Sequence, residues 1–222
     1  MTRVVSYDRA GMGQSAVRPT PHTSHDNAVD LHAVLVTAQI PRPYILVAHS
    51  QAAFTAALYV QHHVQEVAGL IFVDPAHPDQ YAAYLAQLPV PTPDESPLLA
   101  GLRRSWSQGP TDPSRNSEGI DVFTSCQQVR RVTSFGSVPL VVLTSGDFLL
   151  NTQLPPAVAQ ALHQVRWHLH ERWARMSSQS THTLLASYHH DLPEEAPETV
   201  VEAIRQVLTH SSAARDSSSA AG

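Results

Sequence analysis

A serine at a strand–turn–helix junction is the most informative chemical feature of the sequence. Residues 44–54 read YILVAHSQAAF, which predicts a short apolar strand, a tight turn that carries Ser50, and a helix. A nucleophilic serine is presented on a sharp turn at the end of a strand, and the residues two before and two after it must be small. Ala48 and Ala52 fill these positions, where glycine is usual. The helix would point its first amides at the site, which makes the backbone N–H of Gln51 a candidate oxyanion donor. The alternative is a serine that caps a buried helix.

A nucleophilic serine needs a base, and the base needs a carboxylate to orient it. The stretch 186–198, ASYHHDLPEEAPE, contains His189 and His190 before a predicted helix, and one of these histidines is the candidate base. Two acids follow predicted strands, Asp74 and Asp147. Ligand sites of parallel sheets form at the carboxyl ends of the strands, where both acids stand. We favour Asp74 and keep Asp147 as the alternative. In a purely structural role, Asp74 would form an Asp-Pro turn and Asp147 a loop cap.

Four segments in this order resemble the α/β-hydrolase superfamily, in particular its esterases and lipases. The resemblance runs from Arg3 to about His210. In the superfamily's pattern the catalytic histidine stands seven residues before the proline of a Pro-Glu pair, which implies His190, and His189 occupies the place of a usual glycine. The four segments are YDRAGMGQS at 7–15, the serine turn at 48–52, VAGLIFVDPAHPDQ at 67–80 and the histidine loop with the last helix at 190–204.

The resemblance implies a serine hydrolase that acts on an ester or a related small acyl substrate through an acyl-enzyme. Ser50 would be the nucleophile, His190 the base and Asp74 the acid, with the Gln51 N–H as oxyanion donor and no cofactor. The commoner superfamily position for the acid follows the later strand, as Asp147 does, although its spacing departs from the pattern. Some branches carry the acid after the earlier strand, which fits Asp74.

A second function class stays open, a catalytically impaired or non-enzymatic protein of this fold, or a fragment of one, that lacks the His-Gly oxyanion loop. In the superfamily, three strands and a His-Gly loop precede the segment that resembles residues 7–15, and the loop donates the second oxyanion hydrogen bond. Nothing before Arg3 supplies either feature. The loss of one oxyanion donor costs about 10²–10³ in rate. The absent strands would also leave a sheet edge exposed, through which we expect a homo-oligomer to form.

The elements that must position these residues alternate between strand and helix. Short apolar runs predict buried parallel strands, and amphipathic stretches between them predict helices. This alternation is typical of a doubly wound, mostly parallel α/β sheet. The predicted strands are 4–7, 44–48, 69–73 and 139–144, and the predicted helices are 25–37, 52–63 and 198–208.

Changes in local composition along the sequence predict an insertion and a tail. The prolines, Trp106 and short amphipathic pieces of residues 76–137 predict a helical lid inserted between the two parts of the hydrolase core, 1–75 and 138–210, because so long a connection needs structure of its own. Residues 211–222 are rich in serine and alanine and predict a disordered tail.

The amino-acid composition of the chain argues against some classes of binding partner. The chain has 222 residues, a net charge of −5 and one cysteine, Cys126. Without a basic run or a long apolar run, neither nucleic acid nor membrane is expected as a partner, and we expect a cytoplasmic location. The 14 histidines form no His-Glu-x-x-His pattern, so that no metal is expected.

Overall fold

A single parallel sheet organises the molecule. The computed structural model describes residues 3–19, 21–147 and 154–219, with side chains to residue 210. Its four described strands pair in the order β1–β2–β3–β4, and every pair is parallel. The strands are β1 (Tyr44–His49), β2 (Val67–Val73), β3 (Leu140–Ser145) and β4 (Ser180–Leu185).

Helices alternate with these strands along the chain and cover both faces of the sheet. Helix α1 begins with a capping box in which Thr23 and Asp26 satisfy each other's backbone N–H groups, as the sequence of a helix start favours. The helices are α1 (Ser24–Thr37), α2 (Ala52–His63), α3 (Gln80–Leu85), α4 (Pro97–Gln108), α5 (Val122–Val129), α6 (Pro156–Ala174), α7 (Leu192–Glu195) and α8 (Pro197–Ser219).

The central strand β2 is buried on both faces, as the continuous apolar run predicts. Its alternate residues Leu70 and Phe72 pack toward α2 and α5, whereas Ile71 and Val73 pack toward α8. All four side chains are fully buried. Because successive residues of a strand point to opposite faces, helices must cover both sides of the sheet. The chain therefore has the doubly wound α/β fold that the sequence predicts.

The prediction of a strand over residues 4–7 is wrong. These residues have no secondary structure, and Val4 is 85% exposed. A strand exists only where a neighbour satisfies its backbone groups, and β1 pairs with β2 alone among the described residues. Three described elements were missed: the polar strand β4, which lacks an apolar run, the short helix α7, and helix α6, whose apolar stripe is interrupted by charged residues.

The segment 76–137 contains the helices α3, α4 and α5. Helix α5 packs into the same apolar cluster as α1 and α2, whereas α3 and α4 pack against α6. The second cluster includes Tyr84, Leu99 and Leu162. The segment thus has its own helical structure, and its role as a lid stays a prediction.

Helix α8 ends later in the sequence than the predicted last helix, 198–208. It runs to Ser219 and takes up residues for which a disordered tail is predicted; residues 220–222 lie outside the described part of the chain. Extension of an existing helix needs no new nucleus, and Ala213 and Ala214 favour it. Among the described residues no helix has the length and apolar character needed to cross a membrane.

Candidate active site

The turn that carries Ser50 is sharp and strained. Ser50 follows β1 directly and adopts a φ of 54°, a left-handed conformation that costs a non-glycine residue free energy. Backbone hydrogen bonds hold it there: the Ser50 N–H donates to the carbonyl oxygen of Val73 at 3.0 Å, and the Ser50 carbonyl oxygen accepts from the N–H of Ala76 at 2.9 Å. The neighbouring strand β2 therefore fixes the position of the serine.

His190 links Ser50 to Asp74. Its Nε2 lies 3.0 Å from Ser50 Oγ, and its Nδ1 lies 2.6 Å from Asp74 Oδ2. With a neutral imidazole, Nδ1–H donates to the carboxylate and Nε2 accepts the hydroxyl proton of Ser50. The imidazole is 38% exposed. The arrangement is the one that raises the nucleophilicity of a serine hydroxyl.

The neighbouring histidine, His189, contacts Glu195. The backbone N–H of His189 donates to Glu195 Oε2 at 2.7 Å, and its Nδ1 lies 3.2 Å from the same carboxylate. Of the two candidate bases in the sequence, the structure therefore brings His190 to the serine and pairs His189 with an acid of α7.

Asp74 is fully buried at the end of β2 and is held by three other groups besides His190. It accepts the backbone N–H of Ser145 at 2.8 Å and the Ser145 hydroxyl at 3.0 Å, and it forms an ion pair with Arg166. Burial alone raises the pKa of this carboxyl, but the hydrogen bond from His190 and the charge of Arg166 more than reverse this effect and lower the pKa to about 2. Asp74 is therefore a carboxylate at neutral pH.

Asp147, the alternative acid, lies just beyond β3. Its backbone N–H donates to the carbonyl oxygen of Tyr188 at 3.1 Å, which ties this turn to the loop before His190. The carboxylate that contacts His190 Nδ1 is that of Asp74. The structure thus gives the two acids different positions relative to the candidate base.

Arg166 is the charged residue of the site that sequence reasoning missed. It belongs to α6, is only 4% exposed, and donates to the Ser145 carbonyl oxygen at 3.0 Å. A buried cation requires a buried partner, and Asp74 supplies it. The signal was present: Arg166 stands on the buried stripe of α6 with Leu162, Leu169 and Trp173, at helical spacing.

His49 stabilises the loop of the candidate base. The centroids of the His49 and His190 rings lie 4.6 Å apart, and His49 Nε2–H donates to the His190 carbonyl oxygen at 2.8 Å. Burial lowers the pKa of His49, which favours the neutral ring beside His190. The residue before the serine therefore contributes to the position of the base.

Gln51 offers donors at the start of α2. Its backbone N–H has no protein acceptor within the described ranges, and it directly follows Ser50. The side-chain Nε2 of Gln51 is also buried without a hydrogen-bond partner there. The N–H is thus available for a substrate oxygen, as expected for the first amides of a helix.

A second hydroxyl–histidine cluster lies nearby, and two of its three members are buried. Thr144 Oγ1 lies 2.7 Å from His170 Nδ1 and 2.7 Å from His182 Nε2. Thr144 and His170 are at most 2% exposed, and burial, followed by the charge of Arg166, holds the pKa of His170 well below its usual range. One hydroxyl has one proton, so that it donates to one ring and accepts from the other. The cluster joins α6 to β3 and β4.

Comparison with known proteins agrees with this architecture. The profile of the Alpha/beta hydrolase family matches residues 2–203. The uncharacterized protein YqjL of Bacillus subtilis (strain 168) is 24% identical over 206 residues, which cover 92% of this chain and 72% of that protein.

Two solved structures of esterases share the fold. A thermophilic esterase from Thermogutta terrifontis superposes with a TM-score of 0.54 at 20% identity, over 92% of this chain and 78% of that one. The esterase EaEST from Exiguobacterium antarcticum gives a TM-score of 0.56 at 15% identity, over 90% of this chain and 79% of that one. At these identities the likeness extends to the fold alone.

Proposed function

The chain belongs to the alpha/beta hydrolase family, and we propose that it is a serine hydrolase of carboxylesterase type, which cleaves an ester or a related small acyl substrate. One observation carries the proposal: Ser50, His190 and Asp74 form a continuous chain of hydrogen bonds of 3.0 and 2.6 Å at a strained turn. Three residues from distant parts of the sequence meet in the order of donors and acceptors that acyl transfer requires.

In the first half of the reaction, Ser50 Oγ attacks the acyl carbon while its proton passes to His190 Nε2. The resulting imidazolium is stabilised by the Asp74 carboxylate at Nδ1. The negative charge on the former carbonyl oxygen is met by the N–H of Gln51. As the carbon–oxygen bond to the leaving alcohol breaks, His190 returns the proton to that oxygen, and the acyl group remains on Ser50.

In the second half, water replaces the alcohol. His190 Nε2 accepts a proton from the water as its oxygen attacks the acyl carbon, and then gives that proton to Ser50 Oγ as the acyl-enzyme breaks. The products are the alcohol and the carboxylic acid, and no cofactor takes part. His190 exchanges one proton in each half-reaction.

The oxyanion donors determine how fast this reaction is expected to be. The N–H of Gln51 is the candidate donor in the described residues, and removal of an oxyanion donor slows acyl transfer by about 10²–10³-fold. A folded chain without any turnover would support the alternative of a non-enzymatic protein of this fold.

A short p-nitrophenyl ester tests the proposal. Wild type should release p-nitrophenolate above the buffer rate, and Ser50→Ala should lose at least about 10³-fold of that excess or fall to background. Ser107→Ala is the matched control, because the Ser107 hydroxyl donates only to a carbonyl oxygen of its own helix α4. Equal rates for wild type and Ser50→Ala would overturn the proposal.

We also propose that this activity belongs to the cytoplasm. The sequence has one cysteine, Cys126, which is a free, buried thiol in α5. A protein without an internal disulfide is suited to a reducing compartment. Fractionation of the cells that produce the chain, with antibody detection, tests this location.

A further inference from the structure

A cluster of two histidines and one glutamate lies at the far end of α2 from the candidate active site. His32 belongs to α1, His63 ends α2, and Glu66 stands in the 3₁₀ turn Val64–Glu66 that follows. Twelve helical residues separate this end of α2 from Ser50, a length of about 18 Å at 1.5 Å per residue. The cluster therefore takes no part in the chemistry at Ser50.

The donor atoms of this cluster converge. His32 Nδ1 lies 3.6 Å from Glu66 Oε2, and His63 Nδ1 lies 3.9 Å from Glu66 Oε1. One nitrogen from each ring and one carboxylate oxygen all lie within 4.8 Å of one another. Ligands about 2.0–2.2 Å from a tetrahedral Zn²⁺ are separated by about 3.3–3.5 Å, so that shifts of at most about 1.5 Å, together with rotation of the rings, would bring these atoms into range.

We propose that His32, His63 and Glu66 bind a divalent transition-metal ion, with Zn²⁺ as the representative ion and water in the remaining position. Two imidazoles and one carboxylate form a donor set that suits Zn²⁺, Cu²⁺ and Ni²⁺, whereas Mg²⁺ and Ca²⁺ prefer oxygen ligands alone. The ion would join α1 to the end of α2. Its role is structural, and the proposal does not depend on hydrolase activity.

The surroundings of the cluster orient its carboxylate. Tyr59, which is fully buried, donates its hydroxyl proton to Glu66 Oε2 at 2.8 Å. Hydrogen bonds from neighbouring residues to a ligand fix its direction and strengthen a metal site. The side chain of Glu66 is 13% exposed and those of the histidines about one third exposed, which leaves an ion a path from solvent.

The histidine rings have the freedom to reach a shared ion. They now lie stacked, with centroids 4.0 Å apart and planes within 8° of parallel, so that each ring must turn to direct its lone pair inward. The torsion that turns a histidine ring is soft.

Arg42 would compete with a metal ion for the carboxylate of Glu66. Its guanidinium donates to Glu66 Oε1 at 2.9 Å, and its side chain is 60% exposed. An ion that binds Glu66 must displace or share this contact. The proposal therefore predicts that removal of the Arg42 side chain strengthens metal binding.

Calorimetric titration of the full chain with ZnCl₂ tests the site. We expect one saturable site in wild type, about a tenfold or larger loss of affinity in His32→Ala and His63→Ala, and a gain in Arg42→Ala. His62→Ala is the matched control, since His62 neighbours His63 in sequence but packs against His25 instead; its affinity should equal that of wild type.

Thermal unfolding gives a second readout that does not depend on catalysis. Zn²⁺ should raise the unfolding midpoint of wild type and of His62→Ala, and leave that of His63→Ala unchanged, because only an ion bound to the folded state stabilises it. If all variants bind Zn²⁺ with the affinity of wild type, or none binds it, the site does not exist and any zinc is adventitious.

Discussion

At the scale of single residues, the site depends on how buried charge is compensated. The sequence predicted that Ser50, one of two histidines and one of two acids would meet at the ends of parallel strands, because these are local patterns. The choice of His190 over His189 followed from the resemblance to the superfamily. It did not predict Arg166, because helix α6 was not recognised and a single arginine carries no motif. The ion pair between Arg166 and Asp74 depends on two elements that only the tertiary structure brings together.

The choice of acid can be decided by two isosteric variants. Asp74→Asn should lower the rate of ester hydrolysis by about 10³–10⁴-fold, because an amide in place of the carboxylate favours the wrong tautomer of His190. Asp147→Asn should change the rate by less than about tenfold, since the contact to His190 Nδ1 comes from Asp74. Initial rates with the same p-nitrophenyl ester measure both. The reverse pattern would assign the acid to Asp147.

The buried ion pair predicts a pH-dependent loss of stability. The pKa of Asp74 is lowered to about 2 in the folded chain, below its unfolded value, so that the carboxylate stabilises the fold above about pH 4 and this contribution disappears as the pH falls toward 2. Arg166→Met leaves a buried charge without its cation and should cost about 3–5 kcal/mol at pH 7. The deficit should shrink on acidification, because the carboxyl then takes up a proton.

Urea unfolding at pH 7 and at pH 3 measures this deficit, because the contribution of the Asp74 carboxylate is lost between about pH 4 and pH 2. Arg172→Met is the matched control on the same helix: its partner is Asp79 at 2.7 Å, but the Arg172 side chain is 55% exposed, so that its loss should cost about 1 kcal/mol or less. A deficit for Arg166→Met that equals that of Arg172→Met, or that does not vary with pH, would contradict the importance of the buried pair.

At the scale of elements, prediction succeeded where a strand is covered on both faces. The strands β2 and β3 follow from apolar runs, because every side chain of a central parallel strand meets a helix. The strand β1 also follows from an apolar run, although it lies at the edge of the described sheet and is only partly buried. The strand β4 was missed because its face is exposed and polar. The run at residues 4–7 has the same composition as a buried strand, but within the described part of the chain no strand lies beside it to pair with. An apolar run indicates that a segment is buried, whereas a strand also needs a neighbouring strand to accept and donate its backbone hydrogen bonds.

The edge strand β1 predicts self-association. It pairs with β2 alone among the described residues, and Val47 is 48% exposed. Free backbone groups on an apolar edge favour pairing with a second copy. Sedimentation velocity should show a concentration-dependent dimer that Val47→Lys weakens, whereas Val36→Lys, at an exposed position of α1, should not. A monomer at every concentration would contradict this expectation.

At the scale of the whole molecule, the order of elements determines which residues meet. Because the strands are parallel and each returns through a helix, the residues that follow β1, β2 and β3 all lie at one edge of the sheet, and that edge holds Ser50, Asp74 and Ser145. This property follows from strand–helix alternation and was predictable. The contact of α6 with Asp74 and the cluster at His32 and His63 were not, because each joins segments that no periodicity connects.

Hydrolase chemistry at this site depends most on the reactivity of Ser50. Treatment of the folded chain with a fluorophosphonate, followed by peptide mass spectrometry, measures it directly, because only a serine activated by its base reacts readily with this reagent. We predict one adduct, on the peptide that contains Ser50, absent in Ser50→Ala and strongly reduced in His190→Ala. Folded wild type that takes up no label, or label that persists in Ser50→Ala at the wild-type level, would contradict the account.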